Sequence, residues 1–167
     1  MVSQIMGYNR NPIRRFTVYG KIHGKARPRA RKMGRFLSVY DPEDNLTWRH
    51  RIVEAYIHDC GNPKPFDGET PLDLYIAAYF AIPKAFSKKK RELAIIQAIR
   101  PIKKPDFDNI AKIVADALGD GVAYPDDKQI TDAEQIKLYS EGEEYMIVTL
   151  AEAVVGTQLE QLAKEAE

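Results

Sequence analysis

The stretch Lys103-Lys104-Pro105-Asp106-Phe107-Asp108-Asn109-Ile110-Ala111-Lys112-Ile113-Val114-Ala115-Asp116-Ala117-Leu118-Gly119 carries the clearest structural and chemical signals of the chain. Pro105 disfavours helix at Lys104, so the chain arrives extended and a helix begins close to Asp108. Ile110, Ile113, Val114, Ala117 and Leu118 recur at i, i+3, i+4, i+7 and i+8, the apolar stripe of an amphipathic helix, and Gly119 follows its end. In the extended part, residues two apart point the same way, so Asp106 and Asp108 project together. Two carboxylates side by side repel each other, and a bound divalent cation relieves that repulsion. Along the helix Asp108, Lys112 and Asp116 recur every four residues and form one stripe, with Asn109 beside it. Lys112 thus lies about one turn from the carboxylate pair, within reach of a phosphate held there. A plainer reading makes Asp108 an N-cap and Asp116 a surface partner of Lys112. Capping accounts for one aspartate, not for two.

A second acidic pair, Asp126-Asp127, follows Pro125, so the two acidic pairs and Lys112 lie within 22 residues. Acids in a turn are common; position is what makes these two matter. A helix of about 11 residues covers only ~16 Å. The nine residues from Gly119 to Asp127 are enough to retrace that distance and return Asp127 to the first pair.

Around this segment the patterns predict a single mixed α/β domain over residues 1–167, with a core from about 16 to 150. Residues 15–22 alternate as a strand, and the basic segment 24–35, with Gly24, Pro28 and Gly34, reads as a loop or irregular hairpin closed by a short strand over 36–40. Asp41-Pro42-Glu43-Asp44 starts a helix that ends near Cys60 before Gly61, with Leu46, Val53, Tyr56, Ile57 and Cys60 as its buried stripe. His50 and His58 fall at its surface. Residues 72–81 are apolar on both faces, as in a central strand. Ser87 caps a helix through Ile99 whose first turn holds three lysines at the positive end of the dipole, a costly arrangement unless an anion sits nearby. Residues 135–140 and 145–150 alternate around Glu141-Gly142-Glu143 as a hairpin, and 156–167 reads as a terminal helical tail.

Charge is segregated along the chain. Residues 1–40 hold ten Lys or Arg and no acid, whereas 41–83 hold three basic and eight acidic residues. Residues 84–104 return to eight basic residues with Glu92 the one acid, and 105–167 hold four basic against fifteen acidic. Separate basic and acidic blocks fit a polyanion-binding surface beside a metal site. Cys60 is the single cysteine, so neither an intramolecular disulfide nor a multi-cysteine zinc site is available. No apolar run approaches a membrane span and no secretion signal is present, so a cytoplasmic protein without a membrane partner is expected.

These residues resemble the RusA family of Holliday junction resolvases, in particular its phage and prophage members. The likeness runs from about Phe16 to Leu150. It is carried by Gly20-Lys21, Arg27-Pro28-Arg29, the run from Ile82 to Arg91, Lys104-Pro105-Asp106-Phe107-Asp108-Asn109 with Lys112, Asp116-Ala117-Leu118, and Asp126-Asp127. The resemblance implies an α/β fold with a mixed sheet of four to five strands flanked by helices. It implies a homodimeric endonuclease that binds four-way or other branched DNA and nicks two strands symmetrically in recombination and repair. Asp106, Asp108 and Asp127 match the family's ligands for Mg²⁺, for which Mn²⁺ is an alternative, and Lys112 matches its catalytic lysine. Asn109, Asp116 and Asp126 would support those groups from behind. Lys25, Arg27, Arg29, Arg31, Lys32, Lys88, Lys89, Lys90 and Lys104 would contact DNA phosphates. The rival readings are a non-catalytic branched-DNA-binding accessory protein, with the aspartates as caps, and a metal-dependent phosphohydrolase of nucleotides.

Overall fold

The computed structural model describes residues 13–153; the expected helical tail over 156–167 lies outside them. In chain order the elements are β1 (Arg14–Tyr19), β2 (Arg29–Met33), β3 (Phe36–Tyr40), α1 (Glu43–Cys60), β4 (Leu72–Ala81), α2 (Lys88–Ile95), α3 (Phe107–Leu118), a 3₁₀ turn (Asp127–Gln129), β5 (Ile130–Ser140) and β6 (Tyr145–Glu152). Four strands form a mixed sheet in the order β1-β6-β4-β5, and β2 with β3 forms a separate two-stranded ribbon. The fold is α/β, as the sequence predicts.

The hairpin expected of residues 135–150 does not form. β4 inserts between β5 and β6, pairing parallel with β5 and antiparallel with β6. The physical reason lies in composition. β4 buries Leu72, Leu74, Ile76, Ala77, Ala78 and Phe80, whereas the first half of β5 carries exposed Asp132 and Glu134. The apolar strand takes the interior position and the charged one the edge. Residues 141–144 therefore cross the end of β4 instead of closing a tight turn.

Helix α3 buries Ile110, Ile113, Val114, Ala117 and Leu118, the stripe read from its spacing. The four larger side chains, Ile110, Ile113, Val114 and Leu118, each contribute about 1.5–3 kcal/mol on burial. Helix α1 ends as expected on Gly61 at φ 72°, but its inward face is turned from the predicted one. Asn45, Trp48, Ile52 and Tyr56 are buried, while Leu46 and Ile57 are exposed. The phase is set by Asn45, a polar residue whose partners lie in the loop after β1. Ser87 does cap α2, its hydroxyl accepting from the Lys90 amide, but α2 stops at Ile95. Both α1 and α3 lie over the same face of the sheet, where Phe16 meets Tyr56 edge to face at 5.5 Å.

Candidate active site

Helix α3 organises the site. Its N-cap residue, Asp106, makes no capping hydrogen bond with its side chain and remains exposed, with a carboxylate oxygen 3.7 Å from Lys104 Nζ. Asp108 is exposed in the first turn, where the positive end of the helix favours negative charge. Lys112 is exposed one turn further on. The bend before the helix is held from below by Lys137, whose ammonium donates to the carbonyls of Lys103 (2.8 Å) and Pro105 (2.5 Å). Burial pushes the Lys137 ammonium below its ordinary pKa, and the nearby Asp106 partly offsets this.

The loop after β1 is clamped between α1 and α3. Buried Asn45 accepts from the Ala26 amide (2.9 Å), donates to the Ala26 carbonyl (2.9 Å) and to Asp41 Oδ1 (2.8 Å), and meets His23 Nε2 at 3.1 Å. On the other side the Lys25 amide donates to the Asn109 carbonyl at 2.8 Å. Gly24 sits so close to α3 that a Cβ there would fall 2.5 Å from Pro105 Cβ, which excludes any side chain. This clamp aims Lys25 inward. Its ammonium pairs with Asp116 and does not extend toward solvent as a free phosphate contact.

That ion pair borders a cleft of about 350 Å³ whose polar lining is Lys25, Arg49, Asp116, Asp120, Asp126 and Asp127. Arg49 of α1 donates to the Asp116 carbonyl (3.1 Å) and lies 3.8 Å from the Asp120 carboxylate. Asp126 accepts from the Lys128 amide (3.0 Å), and this bond holds its carboxyl below the usual range. Asp127 opens the 3₁₀ turn, which is anchored by the buried Gln129 amide donating to the carbonyls of Asp67 and Thr70. Tyr124 is buried and donates to the Ala115 carbonyl at 2.9 Å. Its phenol is pushed far above its ordinary pKa, chiefly by burial and then by Asp127 and Asp116.

Asp127 therefore stands level with the end of α3, beside Asp116, and not beside Asp106 and Asp108. Eight residues of helix separate Asp108 from Asp116, or about 12 Å. Among the described residues no three His, Cys, Asp or Glu side chains are gathered closely enough to hold an ion. The expected convergence of Asp106, Asp108 and Asp127 is thus not present in this conformation. After α3 the chain turns at once through the bonds from Val122 to Gly119 and from Ala123 to Leu118, and Gln129 then ties it to the Asp67–Thr70 loop. It never retraces the helix. The donors nevertheless fit a hard divalent cation in kind: all are carboxylates, and Asp108 and Asp127 are exposed and make no ion pair among the described residues. They fall into two groups along α3, with Lys112 between them.

The remaining cationic residues lie on the ribbon and on α2. Arg27, Arg29, Arg31 and Lys32 are exposed on or just before the ribbon. Register places Arg29 and Arg31 on one ribbon face with Phe36 and Tyr40, a basic surface interleaved with aromatics. Lys88 and Lys89 are exposed at the start of α2, and Lys90 lies 4.1 Å over the Phe86 ring. Arg49 and Lys137 escaped the sequence reading. The signal for Arg49 was a charge on the stripe of Asn45, Trp48, Ile52 and Tyr56; for Lys137 it was a cation in the inward register of Tyr139.

Comparison with known proteins agrees with this composition. The family described as Endodeoxyribonuclease RusA matches residues 20–149. A Bacillus subtilis (strain 168) protein described as uncharacterized protein YqaN is 33% identical over 129 residues, which cover 76% of this chain and 88% of that protein. The matched span takes in the clamped loop, all of α3 and both acidic groups, and on that match the chain belongs to the RusA endodeoxyribonuclease family.

Proposed function

We propose that this protein is a divalent-metal-dependent, structure-specific endodeoxyribonuclease that resolves four-way DNA junctions by paired, symmetric nicks, serving DNA recombination and repair. The observation that carries the reading is the outer stripe of α3, where exposed Asp108 and Lys112 follow the exposed N-cap Asp106, in a chain that also presents exposed cations on the β2–β3 ribbon and at the start of α2. A surface with that order of charges places a phosphodiester against carboxylates and a lysine, while the cations hold the flanking backbone without reading sequence.

Asp106 and Asp108, with a DNA phosphate oxygen and water completing the shell, would hold Mg²⁺ or Mn²⁺, which when bound supplies a water of lowered pKa and charge stabilisation at the phosphate; Asp127, in the second acidic group, would not share that ion in this conformation. Lys112 donates to the attacked phosphate or the departing oxygen, favouring the state in which negative charge has grown. The Asn45 clamp fixes the loop carrying Lys25 against α3, and Gln129 fixes the segment carrying Asp126 and Asp127. Both acidic groups are thereby referred to one rigid helix.

The test is cleavage of an end-labelled synthetic four-way junction with and without Mg²⁺. Two symmetric nicks are expected only with the metal, and Asp108→Asn is expected to bind the junction without cutting it. A wild-type chain that binds junctions but cuts none in any divalent metal removes the nuclease reading in favour of the accessory one.

A further inference from the structure

Two apolar side chains next to the first acidic pair are uncovered among the described residues. Phe107 stands between Asp106 and Asp108 and is 70% exposed, and Ile102, shortly before it in the chain, is 99% exposed. Helical spacing puts Phe107 on the inward stripe of α3, one turn before Ile110 and two before Val114, both fully buried. The core nevertheless stops short of it, and the burial of a phenyl ring is left unused. The segment that presents both residues is braced. Pro101, next to Ile102, is buried, and Lys137 donates to the carbonyls of Lys103 (2.8 Å) and Pro105 (2.5 Å). The Lys103 ammonium meets Glu144 at 2.9 Å, and that carboxylate also accepts from the Ile22 amide at 2.8 Å. Apolar side chains on a braced bend lose little freedom when something covers them, so they are preorganised to bind.

We propose that Phe107, with Ile102 in support, is a wedge that enters the stack of bases at a DNA branch point and so sets the preference for branched over continuous duplex DNA. The inference rests on the nuclease reading, because a phosphodiester held at Asp106 and Asp108 is what brings a base against Phe107. The ring belongs to the residue between the two carboxylates, so a nucleotide whose phosphate lies there has its base within reach. Charge chooses the occupant. Exposed Lys103 and Lys104 lie between the two apolar residues, and exposed Lys112 follows them. An apolar protein surface would strip water from these ammonium groups and return no partner. DNA supplies flat apolar base faces with phosphates around them, which suits rings and lysines together. Phe and Ile are among the side chains that part base steps in this way. In a continuous duplex every base pair is stacked on both sides, and entry must break a step. At a branch point the continuous stack is interrupted, and entry costs less.

The test uses the full chain with Ca²⁺ in place of Mg²⁺, so that the DNA stays whole. The probes are a four-way junction carrying 2-aminopurine at the branch point and a duplex of matching sequence. Junction binding is expected to raise the 2-aminopurine fluorescence as the base leaves its neighbours. Phe107→Ala is expected to abolish that rise and to weaken junction binding about tenfold, with duplex binding changed by less than about twofold. Its far-ultraviolet circular dichroism spectrum should match the wild type, since the ring lies outside the core. Phe107→Leu, which keeps an apolar wedge, is expected to retain most of the rise. A wild-type chain that binds no junction, or binds it without a change in fluorescence, overturns the proposal. So does a Phe107→Ala chain that behaves as wild type, or one that loses junction and duplex binding equally. A Phe107→Ala chain with altered sedimentation and an unaltered fluorescence rise overturns it in favour of a protein contact. Cleavage in Mg²⁺ without any fluorescence rise removes the wedge and leaves the nuclease. A rise that Phe107→Ala abolishes, in a chain that cuts in no divalent metal, removes the nuclease and leaves the wedge.

Discussion

Lys112 makes no ion pair among the described residues, although two carboxylates stand one turn away on either side of it. Asp108 lies toward the helix start, and Asp116 is taken by Lys25. The Lys25 pair thus keeps Lys112 available, and removing the Lys112 ammonium should act on chemistry rather than on docking. Lys112→Ala is expected to slow single-turnover junction cleavage by about 100-fold or more, with the dissociation constant changed by less than about threefold. Loss of binding equal to the loss of rate would reassign Lys112 to simple phosphate contact. At this scale the sequence was most readable where a residue's partners are local. The stripe Asp108, Lys112, Asp116 follows from helical spacing alone. The place of Asp127 does not, since it depends on Gln129 finding carbonyls some 60 residues earlier in the chain.

Among the elements, α3 and β4 were legible because one period governs each: five apolar residues at helical spacing, and a strand with apolar residues on both faces. The false hairpin and the rotated α1 share a cause. Turn residues at 141–143 report that the chain reverses, not which strand lies alongside, and a buried Asn45 reads as polar surface until its loop partners are known. Helix α2 sets a different problem, with Lys88, Lys89 and Lys90 in its first turn and no acid to offset the dipole. Lys90 lies over the Phe86 ring, whereas Lys88 and Lys89 have no such partner among the described residues. Replacing all three by glutamate is expected to lower the slope of log affinity against log salt by about 0.9 for each phosphate no longer neutralised, hence by about 2 or 3. Fluorescence anisotropy of a labelled junction between about 50 and 200 mM salt measures this. An unchanged slope would make the lysines a solvated surface.

For the whole molecule, stability should fall on the acid side. Asp59 is held below its ordinary value by its bond from His58, Asp67 by the Thr70 hydroxyl, and Asp126 by the Lys128 amide; Asp73 alone is raised, by burial and then by Asp132. A depressed carboxyl stabilises the folded state above its unfolded pKa and loses that contribution as pH falls through the folded one. Asp73 acts in the opposite sense, costing stability as pH rises through its raised value. Three such groups against one predict a urea midpoint that declines as pH drops below about 4, and Asp67→Asn should flatten the decline. A midpoint that rises toward pH ~3 would contradict this balance. Among the described residues no helix is long and apolar enough to cross a membrane. The place of β4 carries a cost that falls during synthesis. Until residues 145–152 have left the ribosome, a ten-residue apolar strand waits with one hydrogen-bonding edge unclaimed. A nascent chain stalled near residue 140 would offer that edge to its neighbours, and co-translational chaperones have most to protect in that interval.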